Sequence, residues 1–250
     1  MSLRIEDRRG GRWIALQRPP VNVLDRATIA ALGAALADVA PRRDLKAVVL
    51  LSDVPGVFSA GVEVRDHARE HVAAMLAAFH DLFRRLEALP QLTVSVVEGT
   101  CLGGGAELAT FCDVVLATPG AVFGQPEIEV GCFPPLAAVL LPRVAPRAAA
   151  ELVLTGRRIG ASEAERTGLV SRVVADARAE AEAVVARVAA HSAAVLSVAR
   201  QAVRRGGEGP LGDALARSEA LYLNDLLGTA DVDEGVRAFV EKRAPRWRDS

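Results

Sequence analysis

Residues 99–107 read Gly-Thr-Cys-Leu-Gly-Gly-Gly-Ala-Glu and follow directly on an apolar, strand-like run, Val94 to Val97. Three glycines at a strand-to-helix turn leave backbone N–H groups uncovered by side chains. They also open a helix, whose N-terminus carries roughly half a positive charge. An oxygen that becomes anionic during a reaction is stabilised at such a place. Glu107 follows in the first turn of that helix, so an anion hole and a carboxylate are expected side by side. A tight structural turn and a dinucleotide loop are the competing readings. The GxGxxG spacing fails, because Gly103 and Gly105 fit but Leu108 takes the third position. The Gly-Lys-Ser/Thr of a P-loop is absent.

The chain has 250 residues, 51% hydrophobic and 24% charged, enough for one large domain or one domain with an appendage. The net charge of −1 gives no overall basic excess of the kind nucleic-acid binding requires, although arginine clusters occur locally. Three cysteines without paired spacing (Cys101, Cys112, Cys132) argue against a disulfide framework and a structural zinc site. The first residues lack an apolar signal core, and no apolar run approaches the ~20 residues of a membrane span. The expectation is a cytoplasmic chain with no membrane, nucleic-acid or metal partner.

Leu3–Asp7 and Trp13–Gln17 read as strands about the Gly10-Gly11 turn. Arg26–Val39 reads as an alanine-rich helix with Asp25 as N-cap, and Lys46–Leu51 as a buried strand. Phe58–Gly61 is expected to be a loop. Asp66–Leu89 has helical periodicity and stops at Pro90. Thr93–Val97, Asp113–Ala117 and Val122–Gly124 read as further strands, with a helix from Gly104 to Phe111 between the first two. Strands separated by helices predict α/β architecture. After about Ala175 residues 176–203, 210–227 and 231–241 read as helices without intervening strands. This divides the chain into a core, 1–190, and a helical region, 191–250.

Other candidates carry bland readings beside the chemical ones. Ser59 lies in Phe-Ser-Ala-Gly-Val-Glu but not in a GxSxG elbow, since Val57 precedes it by two. A backbone role for Val62 is the more natural one there. Glu127 follows Pro126, which constrains its loop. Alone it reads as a surface turn, whereas two carboxyls beside one anion hole could serve as base and acid. His67 and His71 stand four apart, with His80 further along; without a companion Glu-x-x-His pattern, a solvated helix face outweighs a metal site. Cys132 and Phe133, before Pro134-Pro135, are pocket candidates for which core packing is the default.

Taken together, FSAGVEV at 58–64, VEGTCLGGGAELATFCDVVLAT at 97–118, FGQPEIEVG at 123–131, LVLTGRRIGASEAERTGLVSRVV at 152–174 and EGVRAFVEKRAP at 234–245 resemble the enoyl-CoA hydratase/isomerase (crotonase) family nearly end to end. The resemblance implies a spiral of ββα units with a C-terminal helical trimerisation region, assembled as a trimer or dimer of trimers. It implies an acyl-CoA substrate, no separate cofactor, and an oxyanion hole from the backbone N–H groups of Val62 and Gly104. The family's paired glutamates match Glu107, which orients and activates water, and Glu127, which donates the proton. The loop of Ser59, Ala60, Gly61 and Glu63 is implied to cup the adenine end of CoA. Phe239 and Lys242 match positions that reach a neighbouring subunit's CoA, against a plain amphipathic helix with Phe buried and Lys solvated.

One stretch departs from the family. Where common hydratases read Pro-Gly-Ala-Gly-Gly-Thr-Gln-Arg, this chain has Pro134-Pro135-Leu136-Ala137-Ala138-Val139-Leu140-Leu141. Pro135 has no N–H, so the backbone donor implied to hold water there is missing, and a proline-started helix is expected instead. The Phe-Pro-Pro version is similar to hydratases of cyclic dienoyl-CoA thioesters. Hydration or dehydration of an enoyl-CoA is therefore the leading expectation. A crotonase-type isomerase or C–C hydrolase is the alternative, and a binding protein without turnover is the third.

Overall fold

The computed structural model describes residues 2–250. Strands β1 (Leu3–Arg8) and β2 (Gly11–Leu16) form the expected hairpin, followed by helix α1 (Arg26–Val39). The Asp25 side chain caps α1 by accepting the N–H of Thr28 at 2.8 Å, which supplies an acceptor for one of the helix's orphan donors.

Three ββα turns then follow: β3 (Ala47–Ser52), β4 (Val57–Ser59) and α2 (Val72–Ala88); β5 (Leu92–Val97), β6 (Thr100–Leu102) and α3 (Gly104–Thr110); β7 (Val114–Ala117), β8 (Val122–Gly124) and α4 (Pro135–Val144). The first strand of each turn joins a six-stranded sheet ordered β1-β2-β3-β5-β7-β10, and the second joins a four-stranded sheet ordered β4-β6-β8-β9. Helix α5 (Ala149–Thr155), β9 (Arg158–Gly160), α6 (Ala161–Thr167) and β10 (Arg172–Val173) complete the two sheets.

The corner between sheets explains Gly99. A Cβ on Gly99 would lie 2.0 Å from the carbonyl oxygen of Gly56. That close approach lets Thr100 N–H donate to Gly56 O at 2.9 Å, and Val122 N–H to Gly99 O at 3.2 Å. Successive turns are thus stitched together where the chain changes sheet.

Period-two patterning buries both faces of the large sheet. Ile14, Leu16, Val48 and Leu50 pack towards α1 and α2. Trp13, Ala15, Val49 and Leu51 pack with Ala177, Ala181, Val184 and Val185 of α7 (Ala177–Ala189).

Three expectations are corrected. Phe58–Gly61 is not wholly loop, because Val57–Ser59 pairs with Thr100–Cys101 as β4. The helix expected over 66–89 is two pieces, a 3₁₀ turn Val64–His67 and α2, separated by the extended backbone of Ala68. The Glu63 carboxylate accepts the N–H of Arg65, and its carbonyl oxygen takes His67 Nδ1, which closes the first piece on itself. The helix expected over 176–203 breaks at His191-Ser192 into α7 and α8 (Ala193–Arg205), bent by 114°. Ser192 caps α8 through Val195 N–H, and Lys46 Nζ donates to His191 O at 2.5 Å.

Helix α8 is clamped to the body. Arg200 and Arg204 reach the two carboxylate oxygens of Asp113 at 2.7 and 2.6 Å, and Arg200 also donates to Leu86 O at 2.9 Å. Beyond it lie α9 (Leu211–Ala220), a π-helical turn Leu221–Leu226 and α10 (Ala230–Val240). Among the described residues no single helix is long and apolar enough to cross a membrane.

Candidate active site

The glycine run is the hinge between β6 and α3. Gly103 takes φ +52°, donates its N–H to Gly124 O at 2.9 Å, and accepts Glu107 N–H at 2.9 Å in the first helical bond. A Cβ at Gly103 would lie 2.5 Å from Glu127 Oε1, so only glycine lets that carboxyl close on the turn. A Cβ at Gly105 would strike Ser59 Cβ at 2.6 Å, and one at Gly104 would strike Val62 Cγ2 at 2.6 Å. The glycines therefore draw the 58–63 loop against the start of α3.

That loop is held from outside the cavity. Leu24 N–H donates to Gly61 O at 2.8 Å, and Leu24 bridges Val62 as a strand partner. Asn22, fully buried, donates to Ser52 Oγ at 2.7 Å and to Phe58 O at 2.9 Å. Ser59 Oγ donates to Asn22 O at 2.7 Å and accepts Gly61 N–H at 3.1 Å. Among the described residues, the N–H groups of Val62 and Gly104 have no acceptor.

One cavity of about 330 Å³ brings the pieces together. Its lining includes Ala60, Gly61, Val62, Gly104 and both glutamates. Phe79 from α2 and Phe133, Pro134 and Pro135 at the entry to α4 supply apolar wall. Glu107 is only 4% exposed. Its Oε1 accepts the N–H of Ala137 at 2.7 Å, so the carboxyl sits at the N-terminus of α4, which starts at Pro135 as expected.

Burial pushes the Glu107 carboxyl up to about 8; the N–H groups of Ala137 and Leu136 pull against this, and the charge of Glu127 adds to it. Burial also raises Glu127, opposed by its own backbone N–H and by the charge of His67. Glu127 Oε2 is buried and has no partner in the protein. Two carboxyls pushed towards their protonated forms beside unpaired donors can move protons to and from a ligand.

Several expected site residues lie elsewhere. Ser59 is fully buried with its hydroxyl committed, so it shapes the loop and cannot itself touch CoA. The Glu63 side chain turns to Arg65 N–H and is not part of the cavity wall. Cys132 is also outside the wall; its N–H donates to Glu127 O at 3.0 Å. Phe239 is 85% exposed rather than buried, and Lys242 follows the end of α10; within one chain neither reaches the cavity.

Sequence reasoning passes over Asn22 and Arg158, and weighs His67 and His80 only as metal ligands or a solvated helix face. His67, His80 and Arg158 line the cavity. His67 lies in the 3₁₀ turn and only His80 is inside α2, so the expected helix-face array does not form. No cluster of three metal-ligating side chains occurs among the described residues.

A model of the Enoyl-CoA hydratase/isomerase family matches residues 9–250. A cyclohexa-1,5-dienecarbonyl-CoA hydratase of Thauera aromatica is 37% identical over 238 residues, covering 94% of this chain and 92% of the relative. A 2,3-dehydroadipyl-CoA hydratase of Escherichia coli is 34% identical over 94% of each. Among solved structures, an enoyl-CoA hydratase of Bacillus anthracis superposes with a TM-score of 0.94 at 27% identity over the whole of both chains. With the ββα spiral, the paired glutamates and these likenesses in agreement, the chain belongs to the enoyl-CoA hydratase/isomerase family.

Proposed function

We propose that this chain is a hydro-lyase that adds water across the α,β double bond of an unsaturated acyl-CoA thioester, or removes it. The observation that carries the reading is the meeting of Glu107, Glu127 and the unpaired N–H groups of Val62 and Gly104 on one cavity.

The thioester oxygen accepts hydrogen bonds from Val62 and Gly104, which stabilise the enolate as charge builds. One such donor is worth about 10²–10³ in rate. Glu107, as carboxylate, takes a proton from water while the water oxygen bonds to Cβ. Glu127, as acid, delivers a proton to Cα. Atoms and charge balance without electron transfer, so the step needs no cofactor. Pro135 offers no N–H, and the Ala137 donor is spent on Glu107. Water is therefore positioned by the carboxyls.

The finer reading is a cyclic unsaturated acyl group. Phe79, Phe133, Pro134 and Pro135 give the cavity flat apolar walls, and the Thauera relative bears that substrate in its name. The exposed apolar side chains of α9 and α10, Phe239 among them, support a trimer in which Phe239 and Lys242 reach a neighbour's CoA.

Incubation with aliphatic, branched and cyclic enoyl-CoAs in ¹⁸O-water is the test. One labelled oxygen enters the product of hydration and none enters that of isomerisation. Glu107→Gln and Glu127→Gln should each bind acyl-CoA yet lose about 10²–10⁴ in turnover. Full activity in both variants would end this reading.

A further inference from the structure

The four-stranded sheet sets the order in which the parts of the site meet a ligand. Its strands run β4-β6-β8-β9. The first three are parallel, and each hands the chain to one part of the site at the same end of the sheet. β4 leads to the loop of Val62, β6 to the turn of Gly103 and Gly104, and β8 to the turn of Glu127. β9 is antiparallel to β8, so its first residue, Arg158, pairs with Gly124, the last of β8. Arg158 therefore stands at this same end, on the edge of the sheet farthest from β4.

Gly124 gives the side chain room to lie there, since a Cβ in its place would come within 3.2 Å of Arg158 Cγ. The next residue, Ile159, is buried and anchors the strand, while Arg158 forms part of the cavity wall. It is the one lysine or arginine in that wall.

Among the described residues Arg158 has no ion-pair partner, whereas Arg157 beside it is held by Glu151 at 2.7 Å and Glu163 at 2.6 Å. Glu129 shares the wall but does not neutralise Arg158; its carboxylate lies against Gly156, where a Cβ would be 3.3 Å from Oε1. An unpaired guanidinium on a largely apolar cavity is a receptor for an anion.

The sheet order also says which part of a ligand comes near. With the thioester oxygen between Val62 and Gly104, and Cα at Glu127, the acyl chain runs from β6 past β8 towards β9. Strands spaced about 4.8 Å apart put β9 about 10 Å beyond β6, the reach of an acyl chain of several carbons. The CoA arm leaves the carbonyl carbon on its other side.

We propose that Arg158 is a specificity-determining residue that pairs with a second carboxylate at the far end of the acyl chain, so that the substrate class is the enoyl-CoA of a dicarboxylic acid. This rests on the hydratase reading above. The planar guanidinium presents parallel N–H donors to both oxygens of such a carboxylate. The apolar wall of Phe79, Phe133, Pro134 and Pro135 covers the carbon skeleton, open or cyclic, and Arg158 reads its end.

The test compares two enoyl-CoAs of equal chain length on the full-length protein, one ending in a methyl group and the other in a carboxylate. The unsubstituted chain should have the lower KM for the carboxylate. Arg158→Gln should raise that KM by about 10–100-fold and leave kcat, the KM of the methyl substrate and the melting temperature within error of the original. Arg158→Lys, which keeps the charge without the fork, should fall between the two. A KM that rises equally for both substrates, or for neither, overturns the proposal. Calorimetric titration with the saturated counterparts of the two thioesters reads the same preference without turnover. An Arg158-dependent preference for the carboxylate with no hydration defeats the hydratase reading alone. Hydration of both substrates with no such preference defeats only the role of Arg158.

Discussion

Ala137 donates its backbone N–H to Glu107 Oε1 at 2.7 Å, and so ties the buried carboxyl of α3 to the first turn of α4. Pro135 begins that helix without an N–H of its own. The first turn of α4 thus holds the Glu107 carboxyl through Ala137, two residues past a position that has no donor to offer.

This placement sets a pH dependence. Burial raises the Glu107 carboxyl from 4.5 to about 8 in the native state. The native state therefore binds this proton more tightly than the unfolded chain. The contribution is fully present below about pH 4.5 and is lost as pH rises through about 8. Glu107→Gln, which keeps an acceptor for Ala137, should melt higher than the original at pH 9 and lose that advantage at pH 5. Thermal melts across this range check it, and parallel melting curves for the two proteins at every pH would refute it.

Gly103 offers a different lever. Its φ of +52° with ψ of −132° suits glycine, and a Cβ would meet Glu127 Oε1 at 2.5 Å. Gly103→Ala should cost about 1–3 kcal/mol of stability and displace Glu127. Turnover should fall more than acyl-CoA affinity, as steady-state kinetics and a binding titration would show.

The clamp on α8 predicts a structural effect far from the cavity. Asp113 accepts Arg200, Arg204 and the N–H and hydroxyl of Thr93. Despite burial, the two arginines and these hydrogen bonds hold its carboxyl below the ordinary 3.8. Its contribution is present above about that value and is lost as pH falls through the lower native value. Asp113→Asn leaves the buried Arg200 guanidinium without its anion, while Arg204 keeps Glu87 at 3.0 Å, and should cost about 3–5 kcal/mol in urea unfolding at pH 7.

Assembly can be probed at the C-terminal face. Val203, Leu211, Phe239 and Val240 are each more than two-thirds exposed in the single chain. The proposed trimer would cover such side chains. Phe239→Asp should shift the sedimentation coefficient towards that of a monomer while leaving the circular dichroism unchanged. An unchanged oligomer would show that this side chain lies outside the contact.

The division between sequence and structure follows the range of the forces involved. Local pattern was enough for β1, β2, α1 and its Asp25 cap, and for the strand–glycine–helix unit at 94–110, because period, capping and positive-φ turns are properties of neighbouring residues. The proline-started helix at Pro135 was legible for the same reason, and the spread of family-like motifs pointed to Glu107, Glu127, Val62 and Gly104. Tertiary packing alone decided the rest. Val57–Ser59 is a strand only because β6 lies beside it, and Ser59 is sealed off only because Asn22 folds over it. Helical periodicity at 66–89 could not show that the Glu63 carbonyl would capture His67 and end the first turn. Nor could sequence spacing reveal that Ala137, thirty residues away, would hold Glu107. Contacts between distant segments leave no periodic mark on either one, so the environment that lifts Glu107 to about 8 exists only in the folded chain.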